Sequence, residues 1–162
     1  MLTIVATTTP EMLETARALL VEYGDWLQAE GMIFPRELRA FRDQLALLPG
    51  CFAPPDGCLF VAMHEEEAAG CAALRKLSDE ICEMKRLYVR AAFRGMGIGR
   101  SLAEAVIAEA RKTGYTRMRI HTVRSMVAAS SLYASLGFEE IRPYEETLIE
   151  DPVFMELPLP GG

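Results

Sequence analysis

Histidine, cysteine and tryptophan are scarce in this chain of 162 residues, with two, four and one copies respectively. Two histidines, His64 and His121, cannot supply a multi-histidine metal site. The cysteines stand at positions 51, 58, 71 and 82, so none has the C-x-x-C spacing of a zinc or redox site. We therefore expect no metal site, and we expect the cysteines to be structural thiols packed as small hydrophobic side chains.

Long apolar runs and surplus positive charge are also missing. No window approaches the ~20 apolar residues that cross a bilayer, and the first residues lack the basic stretch of a secretory signal. The net charge of -6 repels nucleic-acid phosphates. We expect no membrane or nucleic-acid partner and a cytoplasmic location.

What the chain does have is enough hydrophobic content to fold as one α/β domain over residues 1–162. Hydrophobic residues make up 51% of it and charged residues 25%, the usual shares for a globular protein. Periodicity and turn residues predict the secondary structure. The predicted strands cover 2–6, 59–63, 69–77, 81–89, 117–122, 138–142 and 153–159, and the predicted helices cover 10–29, 35–48, 98–113 and 127–136. Three strands joined by short turns should form an antiparallel meander, followed by a strand-helix-strand unit.

Three glycines lie between the end of the predicted strand 81–89 and the first turn of the helix that follows it. Gly95, Gly97 and Gly99 can bring backbone amides close to an anion, and the first amides of a helix have no helical acceptors. Arg94 and Arg100 add positive charge at either edge. The segment therefore predicts a pyrophosphate site, although its spacing fits neither G-x-G-x-x-G nor a P-loop. The alternative is a glycine-rich connection that only packs the helix on the sheet.

Two motifs resemble those of the GNAT superfamily of N-acetyltransferases. Arg94-x-x-Gly97-x-Gly99 is similar to motif A, Arg/Gln-x-x-Gly-x-Gly/Ala. Downstream, 129–138 resembles the family block A-x-x-L-Y-x-x-x-G-F, and 154–157 resembles its closing strand. The likeness covers about 59–159 and implies a mixed, mostly antiparallel seven-stranded sheet flanked by about four helices. The implied strand order is 1-2-3-4-5-7-6, with the fourth and fifth strands parallel but splayed apart.

The resemblance also implies acetyl-CoA as cosubstrate, bound by the core at 59–162. Pantetheine would enter the splay and bond to backbone groups of Leu87 and Val89, and the Leu87 amide would stabilise the oxyanion. Where the family often has Asn the chain has Met126, so Ser125 is the candidate replacement for its polar contact. The expected cofactor-binding residues are Leu87, Tyr88, Val89, Arg94, Gly95, Met96, Gly97, Ile98, Gly99 and Arg100.

Two residues are the catalytic candidates implied by the family. Glu83 lies at the spacing before Arg94 at which some histone-acetylating relatives carry their catalytic Glu, so it is the candidate base. Strand alternation would place it on one face with Lys85, Leu87 and Val89. Tyr133 of the second motif is the candidate acid for the departing thiolate. Their structural alternatives are an ion pair of Glu83 with Lys85, Arg75 or Arg119, and an aromatic anchor at Tyr133.

The expected activity is acetyl transfer to a primary amine of a small molecule or peptide. Residues 1–58 would form the acceptor side. Their aromatic and arginine side chains could line a pocket or be a solvated helix face: Phe34, Arg36, Arg39, Phe41 and Arg42. The alternative functions are a non-catalytic acyl-CoA-binding or sensor module and a transferase for longer acyl chains. Final strands of the family often pair across a dimer, so a homodimer is a further expectation.

Overall fold

A computed structural model describes residues 1–147 and 149–160 of the chain; Leu148, Gly161 and Gly162 lie outside the described residues. Seven strands and four helices follow one another in the predicted order. The strands are β1 (Leu2–Ala6), β2 (Cys58–His64), β3 (Glu67–Lys76), β4 (Ile81–Val89), β5 (Arg117–Val123), β6 (Glu139–Ile141) and β7 (Pro152–Pro158). The helices are α1 (Pro10–Ala29), α2 (Pro35–Ala46), α3 (Ile98–Thr113) and α4 (Val127–Ser135).

Local capping signals explain where the helices begin and end. The Thr9 side chain accepts a hydrogen bond from the Met12 amide at the start of α1. At the C-terminus of α3, Gly114 adopts a φ of 105°, and its amide donates a hydrogen bond to the Ala110 carbonyl. Helix α2 ends two residues earlier than the predicted 48, because the residue before Pro49 is disfavoured in the helical conformation.

All seven strands form one sheet in the order β1-β2-β3-β4-β5-β7-β6. Five of its pairings are antiparallel, and only β4 and β5 run parallel. The mixed, mostly antiparallel seven-stranded architecture with four helices is therefore confirmed.

Helices cover both faces of this sheet. Residues of α1 and α2 form one apolar cluster with Cys71 and Ala73 of β3, whereas α3 and Tyr133 of α4 join the cluster that contains Ala72 and Leu74. Strand β3 is buried on both faces, which explains its run of small apolar residues.

Three of the four cysteines are buried in these cores and one, Cys51, is exposed. Burial raises the pKa of the Cys58, Cys71 and Cys82 thiols to about 12, so they are protonated and unreactive. Within the described residues, no three His, Cys, Asp or Glu side chains are grouped as metal ligands would be. In the same part of the chain, no helix combines the length and apolarity needed to cross a bilayer.

Candidate active site

The glycine segment forms a tight turn into the N-terminus of α3. Gly95 and Gly97 have φ values of 81° and 78°, a region that glycine adopts without strain. Gly97 is the N-cap of α3, and the amide of Ser101 donates to its carbonyl at 3.1 Å. The amides of Ile98, Gly99 and Arg100 come before this bond, so they have no acceptor within the helix. This arrangement is suited to binding an anion.

The sheet opens beside this turn. Strands β4 and β5 pair only from Ile81 to Glu83 and from Arg117 to Arg119. Beyond these residues the strands separate and leave a cleft between β4, β5, α1 and α4. The predicted splay of the fourth and fifth strands is therefore present in the structure.

The cleft has an outer and an inner part that share the side chains of Tyr23, Met32, Leu87, Met126 and Ala129. The outer cleft has a volume of about 510 Å³ and the inner cleft about 190 Å³. The outer cleft is also lined by Trp26, Tyr88, Val89, Arg94, Gly99, Ser125, Val127, Ala128 and Leu132. The inner cleft is also lined by Leu27, Met84, Lys85, Arg86, His121, Thr122, Val123, Tyr133 and Ile149.

A β-bulge at Arg86 changes which β4 side chains share a face. Arg86 has a φ of 62°, and the pairing with β3 shifts by one residue between Lys85 and Tyr88. Leu87 and Val89 consequently pack on the same side as Met84, against the α3 core. The predicted alternation, with Glu83 and Lys85 on the face of Leu87 and Val89, is wrong because it assumes an unbroken strand.

Five of the ten predicted cofactor residues line the outer cleft: Leu87, Tyr88, Val89, Arg94 and Gly99. The Arg94 guanidinium lies 5.4 Å from the Trp26 ring centre, and its Nε donates to the Val89 carbonyl at 3.0 Å. That carbonyl therefore already accepts one hydrogen bond from the protein, and its second lone pair remains for another donor. Arg100 donates to the Ser135 hydroxyl of α4, and the side chain of Ile98 is buried in the core.

Four further predicted positions differ in their exposure and in the side of the sheet that they face. Met96 is half exposed, and Gly95 beside it is open on the surface. The Tyr88 ring lies 5.3 Å from the Tyr23 ring on the α1 side of the sheet. A Cβ added at Gly99 would lie 3.7 Å from Leu132 and 3.8 Å from Val89, so this glycine forms part of the cleft wall.

Tyr133 is buried at the inner cleft with its ring packed edge-on against Phe138, 5.7 Å between centres. Its hydroxyl makes no hydrogen bond to any described residue. Burial raises the pKa of Tyr133 well above its ordinary value, so the hydroxyl stays protonated and can donate.

Glu83 has a different environment from the one a direct base needs. The side chain is 1% exposed, Arg75 Nε donates to Oε1 at 2.7 Å, and the Tyr144 hydroxyl donates to Oε2 at 2.5 Å. Burial raises the pKa of Glu83, but Lys85, Tyr144 and Arg75 together lower it below the ordinary value of 4.5. Glu83 is absent from the residues that line the cleft. Its contacts are those of the ion-pair alternative, and its catalytic role stays a prediction.

Sequence reasoning missed His121, which lines the inner cleft from β5. Its ring stacks on Phe154 with 4.3 Å between centres, and Nδ1 lies 3.4 Å from Glu145 Oε1. Burial lowers the pKa of His121 below 6.5, and the nearby Glu145 only partly opposes this. A neutral imidazole that donates from Nδ1 to Glu145 leaves Nε2 free to accept a proton. The available signal was a histidine in an alternating strand beside the expected splay.

Comparison with known proteins identifies the family of this fold and site. Residues 19–138 match the acetyltransferase (GNAT) family. The protein belongs to the GNAT acetyltransferase family. Over 96% of its length it is 35% identical to an uncharacterized N-acetyltransferase of Schizosaccharomyces pombe, of which it covers 94%. It is also 35% identical over 89 residues to human N-acetylaspartate synthetase, a match that covers 54% of this chain and 30% of the human protein.

Solved structures show the same fold for this GNAT acetyltransferase. An acetyltransferase from Salmonella typhimurium, solved with its cofactor acetyl-CoA, superposes with a TM-score of 0.73. The match covers 98% of this chain and 94% of that one, at 22% sequence identity.

The residues of this acetyltransferase fit a long anionic ligand such as CoA. The free amides at the start of α3 suit a pyrophosphate, and the bare α-carbon of Gly99 leaves room that a side chain would fill. The family's frequent Asn is replaced by Met126, whose sulfur accepts from the Thr122 hydroxyl at 3.8 Å. Ser125 lines the outer cleft beside it and can provide a polar contact there.

Proposed function

We propose that this enzyme transfers an acetyl group from acetyl-CoA to a primary amine of a small molecule or peptide. The observation that carries the proposal is the joining of two sites at the opening of the sheet. The outer cleft reaches Gly99 in the first turn of α3, and the inner cleft is lined by Tyr133 and His121. An acyl donor and an acceptor could thus meet beside Leu87, which lines both parts.

The amides at 95–100 would hold the pyrophosphate, with Arg94 and Arg100 adding positive charge. The backbone of Leu87, Tyr88 and Val89 would line the path of the pantetheine arm. Bound acetyl-CoA supplies the acetyl group as an activated thioester.

The acceptor amine must lose a proton before it can attack, because an alkylamine with a pKa near ~10.4 is protonated at neutral pH. We assign proton removal to Nε2 of His121, which is neutral at that pH and lines the inner cleft. The proposed role of Glu83 is then to position Lys85, whose Nζ lies 3.6 Å from its carboxylate. The Tyr133 hydroxyl would donate its proton to the departing thiolate.

The two parts of the chain would have different tasks. Tyr23 and Leu27 of α1, with Met32, line the inner cleft, which supports residues 1–58 as the acceptor side and 59–162 as the cofactor side. Arg42 instead pairs with Asp25 at 3.1 Å on the surface, as expected for a solvated helix face. The cytoplasmic location and the homodimer stay predictions.

A thiol-release assay with acetyl-CoA against a panel of primary amines tests the proposal. The panel includes amino acids, because the human relative is named for an N-acetylated amino acid. We expect turnover with at least one amine and saturable binding of CoA by calorimetry. Tight CoA binding with no turnover on any amine would favour the non-catalytic module instead. Comparing acetyl-, propionyl- and succinyl-CoA would test the acyl-chain preference.

A further inference from the structure

The inner cleft is positively charged within an acidic protein. Its described lining residues include Lys85 and Arg86 but no aspartate or glutamate. The chain as a whole has a net charge of -6. The lining of the inner cleft thus has the opposite charge to the protein as a whole, which favours an anionic ligand there.

The β-bulge is what brings both cations to this cleft. Adjacent residues of a regular strand point to opposite faces, yet Lys85 and Arg86 both line the same cavity. The cause is the φ of 62° at Arg86, an unfavourable conformation for a residue with a side chain. Strained backbone of this kind persists where the surrounding structure holds it, and it is concentrated at functional sites.

The side chain of Arg86 is held in place without a counterion. Its Nη2 donates to Gln44 Oε1 at 2.8 Å, and its Cζ lies 4.4 Å above the centre of the Phe41 ring. No carboxylate of a described residue forms a salt bridge with it. Burial, which leaves the guanidinium little contact with water, lowers the pKa of Arg86.

Lys85 is only partly neutralised. Its Nζ lies 3.6 Å from Oε1 of Glu83, and that same oxygen accepts from Arg75 at 2.7 Å. Two cations thus share one carboxylate oxygen. Glu145, the other acidic residue nearby, lies next to His121. Glu83 is thus shared by Arg75 and Lys85, so Lys85 and Arg86 leave a positive surplus in the lining of the cleft.

We propose that Lys85 and Arg86 bind a carboxylate of the acceptor, so that the substrate class is small amino acids with a free carboxylate near the amine. This inference rests on the proposed transferase function. A volume of about 190 Å³ is below the ~300–1,000 Å³ of sites for drug-sized ligands, which favours an acceptor of amino-acid size. The carboxylate would lie beside β4, and the amine would point toward His121 on β5.

The test is a calorimetric titration of the CoA-loaded protein with common L-amino acids and with their α-amides. We expect at least one amino acid to bind about tenfold more tightly than its amide, the size of one charge-assisted hydrogen bond. Lys85→Met and Arg86→Met should each remove this difference. Arg39→Met is the matched control, because Arg39 is an exposed α2 arginine outside the cleft, and it should leave the difference intact.

The comparison of acid with amide on the unaltered protein keeps the test valid if a variant fails to fold. Lys85→Arg, which keeps the charge, should retain the preference. Equal binding of amino acids and their amides would overturn the carboxylate site, and so would tighter binding of phosphorylated amines. The proposed transferase function would still stand if the protein bound CoA and turned over an amine. The site would also be overturned if the enzyme preferred succinyl-CoA over acetyl-CoA and accepted uncharged amines, because the carboxylate would then belong to the acyl donor and not to the acceptor. Absence of CoA binding would reject the proposed function and this inference together.

Discussion

The ring and the hydroxyl of Tyr133 have different surroundings, which allows packing and chemistry to be separated in one side chain. The ring packs on Phe138 in the core, whereas the hydroxyl makes no hydrogen bond to described residues, and the residue lines the inner cleft. Tyr133→Phe should therefore preserve the fold and the affinity for acetyl-CoA, but lower kcat by about 100-fold, as loss of a general acid does. Single-turnover kinetics and calorimetry on the same preparation measure the two effects.

Tyr115 is the matched control for this substitution. It is also buried, but its hydroxyl donates to the Asp56 carbonyl at 2.7 Å, and it lines neither part of the cleft. Tyr115→Phe should cost about 1 kcal/mol of stability through the lost hydrogen bond and leave kcat unchanged. If Tyr133→Phe turned over as fast as the unaltered enzyme, the aromatic-anchor alternative would be the correct one.

His121 makes a pH-dependent prediction. Because burial lowers its pKa below 6.5, the imidazole should be a competent base at neutral pH and lose this ability only as the pH falls below 6.5. His121→Gln should lower kcat by about 100-fold and remove that acid limb from the pH profile of kcat. His64→Gln is the control, since His64 packs on Phe93 away from the cleft. An unchanged acid limb in His121→Gln would exclude His121 as the base.

Glu83 should make a pH-dependent contribution to the free energy of unfolding. Its folded-state pKa is lowered, so the ionised carboxylate stabilises the fold fully above the ordinary value of 4.5, and this contribution is lost as the pH falls through the folded-state pKa. Glu83→Gln leaves Arg75 without its buried partner and should cost about 3 kcal/mol in neutral solution. Chemical denaturation across pH measures this, with the exposed Glu104→Gln as control. If the Glu83→Gln protein were as stable as the unaltered one and its pH profile of kcat had lost the acid limb, Glu83 would be the base after all.

At the scale of single elements, helix α3 offers a comparison between its own two ends. Gly97 and Gly114 flank it with φ values of 78° and 105°, and a Cβ at either would meet no atom within 4 Å. Alanine at each position should therefore cost a similar ~1–2 kcal/mol of backbone strain. Only Gly97→Ala should also weaken CoA binding, because only that end of the helix lies at the cleft.

Thermal denaturation and calorimetry separate these two effects. Equal CoA affinity in Gly97→Ala and Gly114→Ala would show that the glycine turn merely packs the helix on the sheet.

Strand β4, which precedes this helix, is the element whose side-chain directions could not be predicted from the sequence pattern. No glycine or proline marks the bulge at Arg86, so a regular alternation was the natural prediction for β4, and it failed from Arg86 onward.

For the whole molecule, local patterns predicted what depends on neighbouring residues, and the family resemblance supplied the strand order. The positions of all seven strands and four helices followed from periodicity and from signals such as Thr9 and Gly114. The composition of the inner cleft did not follow, because His121, Lys85 and Arg86 come together only where β4 and β5 separate. That separation depends on tertiary packing, which no single segment encodes.

The same geometry predicts how the whole molecule responds to CoA. The outer cleft is built from α1, β4, the turn before α3, and α4, so a ligand there contacts elements from both helical layers and should stabilise them together. At a concentration of CoA one hundred times its Kd, linkage predicts about 2.7 kcal/mol of added stability. This corresponds to a rise in Tm of about 5–10 °C for a chain of this size. Differential scanning calorimetry measures the shift, and hydrogen exchange should show added protection at 95–100.

The rise in Tm should be smaller for Gly97→Ala at the same CoA concentration, because this variant binds CoA more weakly. Gly114→Ala should show the full rise. A CoA-independent Tm in the unaltered protein would mean that the outer cleft is not the cofactor site.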